Sequence, residues 1–160
     1  MVIRHLLDSL SILPWLQGAR VLDVGSGAGL PGIPLAIVQP DCEFCLLDSN
    51  GKRTRFLIQA IAELQLINVS VARSRVEDYL PVTLFDCVVS RAFATLADMV
   101  TGAGPLCAPN GRLLAMKGVF PDDELARLPP GYTVVGVYPL HVPHLEAERH
   151  LVHLAPAPTS

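Results

Sequence analysis

The sequence predicts an α/β domain built on a mostly parallel sheet of seven strands, with an antiparallel hairpin at its C-terminal end. Short apolar runs rich in Val, Leu and Cys alternate with helical or turn segments, and this alternation indicates βαβ units. The runs are apolar on both faces, as expected for a sheet covered by helices on both sides. The predicted strands are residues 20–25, 43–48, 69–73, 85–90 and 112–117, followed by the hairpin strands 132–142 and 150–154.

Helices are predicted at residues 3–16, 52–66 and 122–128. The clearest is 52–66, where apolar residues such as Phe56, Leu57 and Ala60 recur at helical spacing and form one stripe. A length of 160 residues fits a single domain. We divide it into a leading helix (1–18), a βα core (19–118), a helix with the closing hairpin (119–155) and a short tail (156–160).

The composition excludes several classes of protein. With 51% hydrophobic and 17% charged residues, the chain is too apolar to be disordered. No run of about 18 uncharged apolar residues occurs, so no membrane span is expected. A net charge of −3 gives no global nucleic-acid signature, and any basic surface must be local. We expect a cytoplasmic protein, and nothing in the sequence indicates an obligate protein partner.

The four cysteines are expected to be reduced thiols. Cys42 and Cys45 form a CxxC spacing, which is typical of redox or zinc sites. Strand alternation, however, places residues three apart on opposite faces of a sheet. We therefore expect no metal site.

A glycine-rich turn follows the first predicted strand. It contains Gly25, Gly27 and Gly29, and it comes just before the next helix. Glycine allows positive φ and close approach of a ligand, and a helix start offers unpaired N–H groups. Asp48 ends the second strand, at the spacing of an acid that accepts hydrogen bonds from ribose hydroxyls. This arrangement predicts a nucleotide-like cofactor.

Two cofactors fit the bare motif, because residues 27–32 also satisfy the GxGxxG pattern of dinucleotide-binding proteins. Asp23, at the end of the first strand, would repel a pyrophosphate but would attract the ammonium group of a methionine moiety, directly or through water. The chain also lacks the length for a second mononucleotide-binding half. These observations favour S-adenosylmethionine over NAD, and an NAD-dependent oxidoreductase is kept as an alternative.

Basic residues concentrate at positions that a parallel sheet brings to one edge. Lys52, Arg53 and Arg55 crowd a helix start, where cations oppose the helix dipole. Others stand at or just after strand ends, which is where open α/β sheets bind ligands. They are Arg73, Arg75, Arg91 and Lys117, and Arg4, His5, Arg149 and His150 are candidates for the same rim.

Several segments together resemble a known family. They are RHLLDS (4–9), DVGSGAGLPGIP (23–34), LDSNGKRTRFL (47–57), SRVE (74–77), SRAFA (90–94), KG (117–118) and ERHL (148–151). In this order they are similar to the small-subunit ribosomal RNA guanine-N7 methyltransferase G family, also called glucose-inhibited division protein B. Members of that family carry additional helices before the Arg-His segment, which here begins at Arg4.

The resemblance implies a class I, Rossmann-like methyltransferase that acts with S-adenosylmethionine on a guanine of 16S ribosomal RNA or of the small ribosomal subunit. The expected cofactor-binding residues are Asp23, Gly25, Gly27, Leu30, Asp48, Val76, Glu77 and Arg91. Arg91, Lys117 and Arg75 are the expected catalytic residues. Arg4, His5, Lys52, Arg53 and Arg149 are expected to bind RNA.

The chemistry at the fourth strand agrees with this expectation. Guanine N7 has a free lone pair and no hydrogen, so its methylation requires positioning and charge but no general base. Residues 90–93 read Ser-Arg-Ala-Phe, unlike the Asn/Asp-Pro-Pro-Tyr pattern associated with amine methylation. Phe93 is a candidate for base stacking, although a core position is the more common role. A second alternative is a shortened homologue that binds cofactor without efficient catalysis.

Overall fold

A computed structural model describes residues 2–143 and 146–158 and shows a seven-stranded sheet of order β3-β2-β1-β4-β5-β7-β6. The first five strands pair in parallel, and β7 pairs antiparallel with both β5 and β6. The strands are β1 Arg20–Val24, β2 Glu43–Asp48, β3 Val69–Arg73, β4 Phe85–Ser90, β5 Cys107–Lys117, β6 Tyr132–Pro139 and β7 His150–Pro156. The predicted sheet and closing hairpin are thereby confirmed.

In the described part of the chain, five α-helices cover the sheet: α1 Val2–Leu10, α2 Gly32–Val38, α3 Gly51–Leu64, α4 Leu96–Ala103 and α5 Asp122–Ala126. Apolar residues of α1, α2 and α3 pack on one face of the sheet, and those of α4 and α5 pack on the other. Alternate residues of a strand enter opposite cores: Val21 faces the first layer and Leu22 the second. Burial on both faces explains why the strand sequences are almost continuously apolar.

The prediction of one helix over residues 3–16 is wrong in its second half. α1 ends at Leu10, and a separate 3-10 helix, Leu13–Trp15, follows it. Pro14 has no N–H to donate to the carbonyl of Leu10, so a continuous α-helix cannot pass through this position. The break lets Ile12 enter the core, where it is fully buried.

The helix that carries the basic cluster begins one residue earlier than predicted and ends two residues earlier. Asn50 caps α3 by accepting a hydrogen bond from the backbone N–H of Arg53 at 3.0 Å. At the other end, Gln65 turns into the left-handed region with φ +54° and terminates the helix. The cap fixes the start of α3 beside the C-terminal end of β2, so Lys52 and Arg53 lie at the ligand-binding edge of the sheet.

The two cysteines of the CxxC spacing belong to opposite layers, as alternation predicts. Cys42 packs against the core beneath α1 and α2, whereas Cys45 lies in the core beneath α4. Within residues 2–143 and 146–158, no three His, Cys, Asp or Glu side chains cluster closely enough to bind a metal ion. No helix in the described part of the chain is long and apolar enough to cross a membrane.

Candidate functional site: a crevice at the carboxyl edge of the sheet

The glycine loop (residues 25–32) lies at the carboxyl end of β1, against the end of β4. Gly25, Gly27 and Gly29 have φ values of +69°, +58° and +87°, which only glycine adopts readily. A Cβ on Gly25 would collide with the Cβ of Ala92, so no side chain fits between the loop and the segment after β4. The N–H groups of Gly25 and Ser26 donate to the carbonyl of Leu47 on β2. The loop is therefore held to β2 by hydrogen bonds and lies close against the segment after β4.

Asp48 stabilises this loop from the end of β2. Its Oδ2 accepts the N–H of Gly27 at 3.0 Å, and its Oδ1 accepts the N–H of Asn50 at 2.9 Å. Each carboxylate oxygen has a second lone pair, so Asp48 can also accept a ribose hydroxyl without releasing the loop. The side chain expected to bind the cofactor thus also positions the backbone around it.

Asp23 lies beneath the loop and is fully enclosed. Its Oδ2 accepts hydrogen bonds from Ser26 Oγ and from the N–H of Gly32, both at 2.9 Å. Its Oδ1 is buried and accepts no hydrogen bond from the described residues. Burial is the main cause that raises the pKa of Asp23 from 3.8 to about 7, against the lowering effect of its hydrogen bonds and of Arg91. The buried free oxygen suits a donor such as an ammonium group or a bridging water.

Three cavities follow one another along this edge. The large crevice has a volume of about 870 Å³ and is lined by the glycine loop, by α3 and by Arg91. The edge cavity, of about 310 Å³, shares Gly25, Arg53 and Ala92 with it and extends towards Val76. The arginine cavity, of about 210 Å³, is lined by His5, Asp8, Arg91, Lys117 and Arg149, among others. Arg91 therefore separates the large crevice from the arginine cavity.

Most of the predicted site residues meet at these cavities. Gly25, Gly27, Leu30, Lys52, Arg53 and Arg91 line the large crevice, and Asp48, Arg75, Val76 and Glu77 line the edge cavity. His5, Lys117 and Arg149 line the arginine cavity. Asp23 lies beneath the glycine loop, and Arg4 is exposed on α1 and lines none of the three.

The ammonium of Lys117 is held by neighbouring groups. It lies 2.8 Å from Glu124 Oε1 and donates to the carbonyls of Phe93 and Ala94 at 3.3 and 3.2 Å. An ammonium group has three donors, so these contacts account for all of them. In this arrangement Lys117 holds the segment after β4 in place, and a direct catalytic role for it stays a prediction.

Arg75 and Glu77 form an exposed ion pair, with Arg75 Nε 3.3 Å from Glu77 Oε1. Both side chains are more than half exposed, at 74% and 57%, so the pair is weak and either partner can turn to a ligand. Phe93 packs against the core beneath α4 while lining the edge cavity. This position favours a core role for Phe93 over a role in stacking on the RNA base.

Sequence reasoning missed two residues of this site. Phe56 lines the large crevice and is 53% exposed, although its helical spacing placed it in an apolar stripe. Asp8 is buried between two arginines, with Oδ2 3.4 Å from Arg91 Nη1 and Oδ1 3.5 Å from Arg149 Nε. The signal for Asp8 was that it is the one acidic residue of α1.

The sheet order, the glycine loop and the acid that ends β2 define a class I S-adenosylmethionine-dependent methyltransferase. The residues at the crevice suit that cofactor: the loop admits close approach, Asp48 retains free lone pairs, and Asp23 has a buried free oxygen. A methyltransferase from Geobacter sulfurreducens, solved with S-adenosyl-L-homocysteine, shares this fold. It has a TM-score of 0.66 and 17% identity, and the match covers 95% of this chain and 90% of that chain.

The chain belongs to the rRNA small subunit methyltransferase G family, GidB, whose sequence model matches residues 1–152. The ribosomal RNA small subunit methyltransferase G of Nitrosococcus oceani is 60% identical over 156 residues, covering 98% of this chain and 73% of that protein. The protein of the same name from Yersinia enterocolitica is 57% identical over 155 residues, covering 96% and 75%. The predicted resemblance is confirmed, and these relatives are methyltransferases rather than nicotinamide-dependent oxidoreductases.

Proposed function

We propose that this protein transfers a methyl group from S-adenosylmethionine to N7 of a guanine in 16S ribosomal RNA, in the cytoplasm. One observation carries the choice of acceptor atom. Among the described residues that line the large crevice there is no Asp, Glu, His or Cys. A site that methylates an amine, a hydroxyl or a carbon atom generally needs a base or a thiol. Guanine N7 needs neither, because its lone pair is already free.

The chain's own residues would bind and orient the two reactants. Gly25 and Gly27 of the glycine loop would hold the cofactor together with Asp48 at the end of β2, and Glu77 would lie near its adenine in the edge cavity. Bound S-adenosylmethionine would supply an electrophilic methyl group. Arg91 lies at the boundary towards the arginine cavity, where a guanidinium can donate to guanine O6 or to a phosphate.

Basic residues on both sides of the large crevice support RNA as the substrate. Lys52 and Arg53 line it from α3, and Arg91 lies across from them. On the far side of Arg91, Arg149 lines the arginine cavity. Such cations bind phosphates and position the RNA backbone, whereas contacts to the base select the nucleotide.

The direct test is methylation of small ribosomal subunits from a strain that lacks this modification. With labelled S-adenosylmethionine we expect one labelled guanine in 16S ribosomal RNA, identified as N7-methylguanine by its mass and by aniline-induced strand scission after borohydride reduction. If the cofactor binds in calorimetry but no label reaches the RNA, the substrate assignment is wrong. Naked 16S ribosomal RNA in a parallel reaction shows whether assembly is required.

Calorimetry also tests the cofactor itself. S-adenosylhomocysteine should bind, and NADH should not compete with it. Arg91→Gln should weaken turnover more than cofactor binding if the guanidinium contacts the substrate. Binding without turnover that is restored when the additional N-terminal helices of the family are joined to the chain would instead support a homologue that binds the cofactor without efficient catalysis.

A further inference from the structure

Asp8 occupies a position that α1 alone does not favour. It lies in the last turn of this nine-residue helix, where the dipole disfavours an acid, and its side chain is only 9% exposed. A buried carboxylate is costly unless it is paired. The two neighbouring guanidiniums provide that pairing, and they come from distant parts of the chain: Arg91 follows β4 and Arg149 precedes β7.

The two oxygens of Asp8 are divided between the two arginines. Oδ2 accepts a hydrogen bond from Arg91 Nη1 at 3.4 Å, while Oδ1 lies 3.5 Å from Arg149 Nε without a hydrogen bond. Both arginine side chains remain about one-third exposed, at 36% and 33%. The carboxylate is thus buried, whereas part of each guanidinium remains available for a ligand.

Among the described residues at the arginine cavity, the ion pairs leave one guanidinium unbalanced. Lys117 is neutralised by Glu124, and Asp8 balances one of the two guanidiniums. The remaining charge suits one phosphate or the O6 edge of one guanine. Without Asp8, two guanidiniums would face each other across a small cavity and would repel.

We propose that Asp8 is a positioning residue for RNA methylation, which holds Arg91 at the crevice boundary and Arg149 across the arginine cavity at a fixed separation. The proposal rests on the function proposed above. Asp8 acts through the arginines and does not touch the reacting atoms. Asp8 orients the guanidinium of Arg91 towards the large crevice. It also sets the distance between this group and the guanidinium of Arg149, which would contact the RNA.

The test compares Asp8→Asn, which keeps the shape and removes the charge, with Asp8→Glu, which keeps the charge. Asp8→Asn should lower kcat on small ribosomal subunits about tenfold, and Asp8→Glu should recover part of that loss. Glu43→Gln is the matched control, since it removes the acid of another arginine pair, with Arg20, at the opposite edge of the sheet. It should leave kcat unchanged.

A double-mutant cycle separates positioning from a general effect on folding. In the Arg149→Gln background, Asp8→Asn should reduce kcat by clearly less than the tenfold expected in the wild-type background, because one of the two guanidiniums through which it acts is gone. A full, independent loss in that background would overturn the proposal. So would an Asp8→Asn enzyme that unfolds more easily but keeps wild-type kcat while folded.

A second cycle uses S-adenosylhomocysteine binding and needs no RNA. Asp8→Asn should weaken this binding about threefold, and the effect should vanish in an Arg91→Gln background. If the wild-type chain methylates no RNA, the proposed substrate is wrong, yet this cycle still measures the link between Asp8 and Arg91. Equal binding by wild type and Asp8→Asn would show that Asp8 does not position Arg91.

Discussion

Gly25 is the residue at which the glycine loop meets the segment after β4, and it combines two separate constraints. Its φ of +69° is costly for any residue with a Cβ, and an added Cβ would overlap that of Ala92. We expect Gly25→Ala to destabilise the fold by about 2 kcal/mol or more and to abolish measurable cofactor binding. Chemical denaturation and calorimetry with S-adenosylhomocysteine measure the two effects.

Gly131 provides the control for this substitution. It has a φ of +97°, but a Cβ there would meet no atom within 4 Å. Gly131→Ala therefore shows the cost of the backbone conformation alone and should leave cofactor affinity unchanged. If the two variants behaved alike, the close approach to Ala92 would have no functional importance.

Asp23 links the glycine loop to the pH dependence of stability. Its pKa rises from 3.8 to about 7 in the folded protein, so between these values the folded state binds more protons than the unfolded state. The unfolding free energy must then fall as pH rises through this range and level off above it. Asp23→Asn removes the dependence, so its stability relative to wild type should rise with pH by an amount on the order of 1 kcal/mol per unit.

The comparison is made at each pH by urea denaturation, because other groups titrate in the same range. Burial lowers the pKa of His153, and its contribution has the opposite sign: protonation destabilises the fold as pH falls below 6.5. That contribution is common to both proteins and cancels in the difference. If the unfolding free energies of wild type and Asp23→Asn changed in parallel with pH, Asp23 would be ionised in the folded protein over the whole range.

At the scale of elements, Glu124 connects α5 to two other parts of the fold. Its Oε1 lies 2.8 Å from Lys117 Nζ and accepts the backbone N–H of Leu96 at 3.0 Å. Both side chains of the ion pair are mostly buried, at 13% and 26% exposure. Glu124→Gln should therefore cost about 1–2 kcal/mol in the free energy of unfolding, measured by denaturation.

Glu43→Gln is the control for this ion pair, because Glu43 pairs with Arg20 while 71% exposed. We expect this change to cost less than about 0.5 kcal/mol. Equal costs for the two variants would contradict the expectation that the mostly buried pair of Glu124 contributes more stability than the exposed pair of Glu43. If folded Glu124→Gln protein transfers methyl groups more slowly than the wild type, the release of Lys117 from its ion pair disturbs the site.

The elements themselves were largely predictable, because burial on both faces marks the strands and turn residues mark their ends. Three parallel strands, β2, β3 and β4, have the predicted limits. The pattern did not define α2 and α4, because helices of seven and eight residues are too short to show a clear apolar stripe. The end of α1 was missed because amphipathic spacing continued past the break before Pro14.

The site was predictable where it depends on local sequence and unpredictable where it depends on long-range pairing. The glycine loop and Asp48 follow from strand, turn and helix in succession. The pairing of Asp8 with Arg91 joins residues 83 positions apart, and no local pattern encodes it. No local pattern encodes the contacts of Lys117 with Phe93 and Glu124 either, and these contacts join α5 to the segment after β4.

At the scale of the whole molecule, charge is distributed unevenly between the edges of the sheet. The chain carries a net charge of −3, yet Lys52, Arg53 and Arg91 line one crevice at the carboxyl edge. At the amino edge, by contrast, Arg20 is paired with Glu43. An acidic protein can therefore bind RNA through one surface without a general affinity for nucleic acid.

This asymmetry predicts a strong salt dependence of RNA binding. Each phosphate contact releases counterions, so the logarithm of the binding constant should fall linearly with the logarithm of salt concentration. Lys52→Gln removes one cation of the large crevice and should reduce the slope by about 0.7–0.9. Arg20→Gln, at the opposite edge, should leave the slope unchanged. Fluorescence anisotropy with a labelled 16S fragment at several salt concentrations measures all three slopes, and a flat response in the wild-type protein would exclude the crevice as an RNA-binding surface.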